Sequence, residues 1–188
     1  QKLVDAVRAN NGTYFVNVAT SDSIITECIK GIEIYNPSVD ADREELIKAL
    51  SQATEIVTSL PSVNFYDMGD TSVAKLITAG LKDNSASGTI IYTAENNNHA
   101  AEILEKIIIE KDPAVKNKKI QFINTVIGKM SQVVTDAAEI KEKKLAALAP
   151  GIDRAFLVEQ FNKILVTKCT IPDFKPGIEV FIEKDDLL

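Results

Sequence analysis

The sequence has no tryptophan, a single histidine (His99) and only two cysteines, Cys28 and Cys169, far apart in the chain. A structural zinc site takes about four Cys or His ligands, so the count alone leaves too few, and no metal is expected. The two thiols form no redox spacing. They read as buried cysteines of a reducing compartment, with a disulfide the weaker alternative, and the cytoplasm is the expected location. Basic blocks are missing as well: 21 Lys and Arg face 27 Asp and Glu, a formal charge of −6. No nucleic-acid partner is expected from such a chain. Apolar runs are short and cut by charge, as at Ile107-Ile108-Ile109, so nothing approaches the roughly 20 residues of a membrane span. A signal peptide is absent, and Gln1 in place of Met reads as processing or truncation.

Glycine is sparse and dispersed. The eight glycines are never closer than eight residues to one another. Dinucleotide fingerprints and P-loops need clustered glycines so that backbone amides approach phosphate closely, and neither pattern occurs. Nor does a G-x-S-x-G elbow, and a Ser-His-Asp triad could be built only around His99.

What is present is an ordinary globular balance, 188 residues with 45% hydrophobic and 26% charged. That suffices for one domain, or one domain with a small annex. Periodicity predicts a helix over 2–9 stopped at Asn10-Asn11-Gly12, strands over 13–18, 24–29 and 32–35, and a helix over 41–52 capped by Asp40. A strand over 55–60, a helix over 71–82, a strand over 89–93 and a helix over 100–111 follow. Short apolar strands alternating with helices are the pattern of a parallel sheet with crossover helices. The two strands 55–60 and 89–93 are expected as neighbours near its middle. Beyond Asp112-Pro113 the chain turns β-rich, with strands over 120–127, 156–160 and 164–168 around a Lys-rich helix over 137–148, read as an exposed excursion.

In an open α/β sheet, ligands bind beyond the carboxyl ends of the strands. Two such ends are available, Thr58-Ser59-Leu60-Pro61 and Thr93-Ala94-Glu95-Asn96-Asn97-Asn98-His99. The second is the richest polar cluster in the chain and precedes a helix, where amides and the dipole favour an anion or a polarised oxygen. Helix capping by Asn97 or Asn98 explains part of it, and a lone His99 is more often a partly exposed first-turn residue than a catalyst.

The stretch Ala94-Glu95-Asn96 resembles the "(C/A)-(E/D)-N" strand end of the polyol-specific long-chain dehydrogenases, which include mannitol dehydrogenases and hexuronate reductases. Glu55-Ile56-Val57-Thr58-Ser59 is similar to that family's "D-L-V-T-T" strand. The stretch from Phe122 to Met130 resembles "F-V-D-S-x-V-D-R-I", although Gly128 replaces its Asp, Lys129 its Arg, and Pro61-Ser62 its Gly-containing turn. Gln1 to Val18 and Phe156 to Lys168 resemble flanking segments, so the likeness runs thinly along nearly the whole chain.

The resemblance implies an α/β fold, a Rossmann-like parallel sheet with crossover helices that is incomplete at its N-terminus, plus a β-rich C-terminal extension. Residues 1–118 would be the remainder of a dinucleotide-binding domain, and 119–188 an extension leading to an absent C-terminal catalytic domain. It implies hydride transfer between NAD or NADP and a sugar-derived substrate, a polyol or sugar-acid alcohol. Asn96 would then be catalytic, its amide stabilising the developing oxyanion. Thr58, Ser59, Leu60 and Glu95 would be cofactor-binding, and His99 and Lys129 substrate-binding, with a solvated lysine the plainer account of Lys129. Two other classes stay open: a non-catalytic α/β ligand-binding or regulatory module, and an assembly subunit in which the asparagines merely cap a helix.

Overall fold

A computed structural model describes residues 1–84, 86–128, 130–160 and 163–184. Its helices in chain order are α1 (Lys2–Ala9), α2 (Asp40–Gln52), α3 (Val73–Lys82), α4 (Ala100–Lys111) and α5 (Ala137–Glu142). The strands are β1 (Tyr14–Ala19), β2 (Ile24–Ile29), β3 (Glu55–Thr58), β4 (Thr89–Thr93), β5 (Ile120–Val126), β6 (Ser131–Val134), β7 (Ala155–Glu159), β8 (Ile164–Thr167) and β9 (Phe181–Lys184). Two compact units emerge, one from residues 1–36 with 128–162, the other from 37–127 with 163–188. The expected boundary at 118/119 does not divide them. β5 lies past that point yet pairs with β4, while the start of the chain shares a sheet with β7.

The first unit is a four-stranded sheet in the order β2-β1-β7-β6. The β1–β2 hairpin and the β6–β7 pair are antiparallel, joined by a parallel β1–β7 contact. α1 packs Val7 against Leu148, Ala149 and Ile152. It ends as expected, with Asn11 and Gly12 at φ 53° and 66°. Residues 32–35 form no strand. The Ile32 amide donates to the Gly12 carbonyl at 3.1 Å, while Ile32 and Ile34 turn into the α1 cluster. The 137–148 helix stops at Glu142, and Lys144 adopts φ 53°. Leu145, Leu148 and Ala149 are buried, so the second half of that segment is core and no excursion. β6 was not anticipated, because Met130, Ser131 and Gln132 interrupt its apolar pattern.

The second unit carries a five-stranded sheet in the order β3-β4-β5-β8-β9. β3, β4 and β5 run parallel, with Thr58 opposite Thr93 and Thr93 opposite Asn124. As the alternation predicts, α3 and α4 are the crossovers. Their apolar stripes (Ile77, Leu81, Leu104, Ile108) cover one face over Ile56 and Ile91. The other face, with Ile90, Tyr92 and Ile123, is covered by the tail residues Ile171, Phe174 and Phe181. Every residue of β4 is buried, which is why that strand is continuously apolar. β3 differs from expectation. It is an edge strand among the described residues, it ends at Thr58 short of Leu60, and Val57 is 46% exposed.

α2 begins after Val39, with Asp40 as its first helical residue and no side-chain cap. It approaches α3 so closely that a Cβ on Gly80 would stand 2.4 Å from the Leu50 Cβ. Alanine in place of a helical glycine usually stabilises by about 0.5–1 kcal/mol. Here overpacking, about 1–3 kcal/mol, should win, and Gly80→Ala is expected to lower the urea midpoint. A raised midpoint would show that α2 can slide away at little cost.

Neither cysteine is bridged; Cys28 is exposed on the edge strand β2 and Cys169 half-buried, against the expectation of two buried thiols. Among the described residues no helix is long and apolar enough to cross a membrane, and no cluster of three or more His, Cys, Asp or Glu could hold a metal.

Candidate active site at the carboxyl ends of the parallel strands

The parallel register brings the ends of β3, β4 and β5 together at one edge of the second unit. A cleft of about 100 Å³ opens there, lined by Ala94, Glu95, Asn96, Asn97, Asn98, Thr125, Val126 and Ile127. The segment after β4 forms one wall and the end of β5 the other. Thr125 Oγ1 donates to the Thr93 carbonyl at 2.9 Å, and Thr93 Oγ1 to the Ile123 carbonyl at 3.1 Å. These side-chain bonds consume the hydroxyls of both strand ends and stiffen the base of the cleft.

Asn96 is exposed in that cleft, and its side chain forms no hydrogen bond with the described residues. Its amide is therefore available to a ligand. Asn97 behaves differently: its Oδ1 accepts the His99 amide at 2.8 Å, and its carbonyl accepts the Ala100 amide. Asn98 lines the cleft without a side-chain bond of its own among the described residues. His99 is the exposed residue just before α4 and does not line the cleft. Lys129 lies outside the described residues.

The first amides at the start of α4 are engaged within the protein. Beyond the His99 and Ala100 amides, the Ala101 amide donates to Asn124 Oδ1 at 2.9 Å, and Asn124 Nδ2 donates to Glu102 at 2.9 Å. Asn124 caps the helix from the neighbouring strand β5, so neither Asn97 nor Asn98 has to do so alone. Sequence reasoning missed it. The available signal was a polar residue interrupting the apolar β5 pattern at its carboxyl end, in register with Thr93.

Glu95 is the least exposed charged residue at this edge, at 3%. Its carboxylate accepts Thr58 Oγ1 at 2.9 Å, the Leu60 amide at 2.8 Å and the Tyr66 hydroxyl. Burial pushes the Tyr66 phenol above its ordinary range, and the bond to Glu95 pushes it further the same way, so Tyr66 stays a neutral donor. Ser59 is exposed between the two tied residues.

No protein-family model matches the chain, and its sequence has no significant match among curated proteins. Solved structures do match. A mannitol 2-dehydrogenase of Pseudomonas fluorescens, in a ternary complex with NAD and D-mannitol, aligns with TM-score 0.72 and 14% identity, over 98% of this chain and 44% of its own. A D-sorbitol dehydrogenase in substrate-free form gives 0.74 and 16%, over 98% of this chain and 45% of its own. This chain shares their fold. It spans under half the length of either, and at such identity the likeness establishes the α/β, Rossmann-like architecture alone.

A dinucleotide needs a larger pocket, on the order of 300–1,000 Å³, and a cradle of free amides for its phosphates. The cleft is about 100 Å³, the glycines are dispersed, and the first amides of α4 are taken. The described residues do not fit the phosphate end of such a site.

Proposed function

We propose that this chain is part of an NAD(P)-dependent oxidoreductase that interconverts a polyol, or a sugar-acid alcohol, with its keto sugar by hydride transfer. The observation that carries the reading is Asn96. It presents an unpartnered amide in a cleft at the carboxyl ends of parallel strands, in a fold shared with a mannitol 2-dehydrogenase and a D-sorbitol dehydrogenase. An amide held at a strand end donates to a carbonyl oxygen as negative charge grows on it, with no reorganisation at the moment of reaction. Ser59 and Leu60 are assigned to the cofactor, and His99 and Lys129 to the hydroxyls or acid group of the substrate. Among the described residues the dispersed glycines and the engaged first amides of α4 offer no phosphate cradle. Among the described residues no strand pairs with the outer edge of β3, where a further strand can add.

The gene product containing this chain should oxidise a member of a panel of polyols and sugar-acid alcohols, read as NAD(P)H absorbance. Absence of turnover with either cofactor across the panel overturns the reading. The 188-residue chain by itself should show no turnover and bind NAD(P) more weakly than the low-micromolar range, since its glycines are dispersed and the first amides of α4 are engaged. Calorimetry giving low-micromolar affinity for this chain would place the cradle within it.

A further inference from the structure

We propose that Glu95 and Tyr66 are positioning residues for Asn96, acting through a buried carboxylate that ties the end of β3 to the end of β4; this deepens, and rests on, the oxidoreductase reading above. The donors to Glu95 come from three places: the last residue of β3 (Thr58), the backbone two residues on (Leu60), and the residue after the short helical turn Val63–Phe65 (Tyr66). All three are neutral, and among the described residues no cation pairs with Glu95. An ionised carboxylate is acceptor-only, so three converging donors satisfy it while fixing its direction. A second tie runs alongside, from the Ala94 amide to the Thr58 carbonyl at 2.9 Å.

Asn96 follows Glu95 directly and belongs to no helix or strand. Its path is held on one side by the buried Glu95 side chain. On the other, the Asn97 amide donates back to the Glu95 carbonyl at 2.8 Å. Glu95 thus anchors both the residue before Asn96 and the turn after it. One consequence concerns the cofactor. The hydroxyl of Thr58, the amide of Leu60 and the carboxylate of Glu95 are spent on one another, so the exposed Ser59 is the side chain left at this strand end.

The test uses isotope-labelled 188-residue chain and its Glu95→Gln, Tyr66→Phe and Tyr92→Phe variants. Tyr92 donates to Glu55 in the same sheet, at 2.9 Å, and serves as a matched loss of a phenol–carboxylate bond away from the cleft. In Glu95→Gln and Tyr66→Phe the backbone order parameter of Asn96 should drop from the rigid range, about 0.85, toward 0.6, and Tyr92→Phe should leave it unchanged. In Glu95→Gln the Leu60 amide should exchange roughly tenfold faster, the loss expected for a bond to a charged acceptor. An Asn96 order parameter that stays rigid in Tyr66→Phe, or falls equally in Tyr92→Phe, overturns the proposal; Tyr66→Phe decides if Glu95→Gln does not fold. In the active gene product, Tyr66→Phe should lower kcat about tenfold, the effect of weakening one oriented donor, with the KM for dinucleotide unchanged. A gene product without turnover sinks the oxidoreductase reading, and the Asn96 dynamics still decide the positioning role.

Discussion

Under the proposed oxidoreductase function, Asn96→Ala should lower kcat by roughly 10²–10³, about 3–4 kcal/mol, the loss expected for a single oxyanion-hole donor. The argument rests on what Asn96 does not do. Its side chain is exposed in the cleft and hydrogen-bonds to none of the described residues, so truncation removes no internal hydrogen bond among them. The melting temperature should therefore stay within the small range of a surface substitution, about ±0.5 kcal/mol. Cofactor KM should move little, because the lost interaction strengthens only as charge develops on the substrate oxygen. Asn97→Ala should show the opposite profile. It removes the acceptor for the His99 amide and should cost about 0.5–2 kcal/mol of stability with kcat nearly intact. Steady-state kinetics beside thermal melts of both variants separate the roles. Full kcat in Asn96→Ala removes the catalytic assignment.

The parallel core was legible because its signals are local. Ile56, Ile91 and their neighbours make short buried-type strands, and the stripes of α3 and α4 repeat at helical spacing. The strand end at Asn96 was legible for the same reason, as an uninterrupted polar run between an apolar strand and an apolar helix. Pairings distant in sequence were not. Nothing near Glu95 announces that its partners are Thr58, Leu60 and Tyr66, and nothing near α4 announces that Asn124 caps it. Period also misled where burial comes from irregular backbone. Residues 143–149 keep helical spacing of Leu145, Leu148 and Ala149, yet they pack as a turn and an extended piece. The helix ends in a local turn, with Lys144 at φ 53° and the Leu145 amide donating to the Ile140 carbonyl at 2.9 Å. Asn17, more than a hundred residues away, holds Ala146 just beyond it.

Asn17→Ala should be among the most destabilising single changes in the first unit, about 3 kcal/mol or more. Asn17 sits in the middle of β1 with no exposed surface. Its Nδ2 donates to the carbonyls of Ala146 and Phe156, each at 2.9 Å, and its Oδ1 accepts the Ala146 amide at 2.8 Å and Thr26 Oγ1 at 3.3 Å. The side-chain amide thus mimics a peptide unit, pairing both backbone groups of Ala146 as a neighbouring strand would. Alanine strands those groups, and each buried unsatisfied polar group costs about 1–3 kcal/mol. Because Ala146 is half-buried, water recovers part of that loss, which keeps the expected total below the simple sum. Asn17→Asp tests the account further. It is nearly isosteric, but it replaces the double donor with an acceptor facing two carbonyls and adds an unpaired buried charge. Aspartate should therefore be at least as damaging as alanine in urea unfolding followed by circular dichroism. If aspartate is tolerated, or alanine costs under about 0.5 kcal/mol, the range of an ordinary surface change, residues 143–149 are held by their apolar contacts alone and the Asn17 clamp is dispensable.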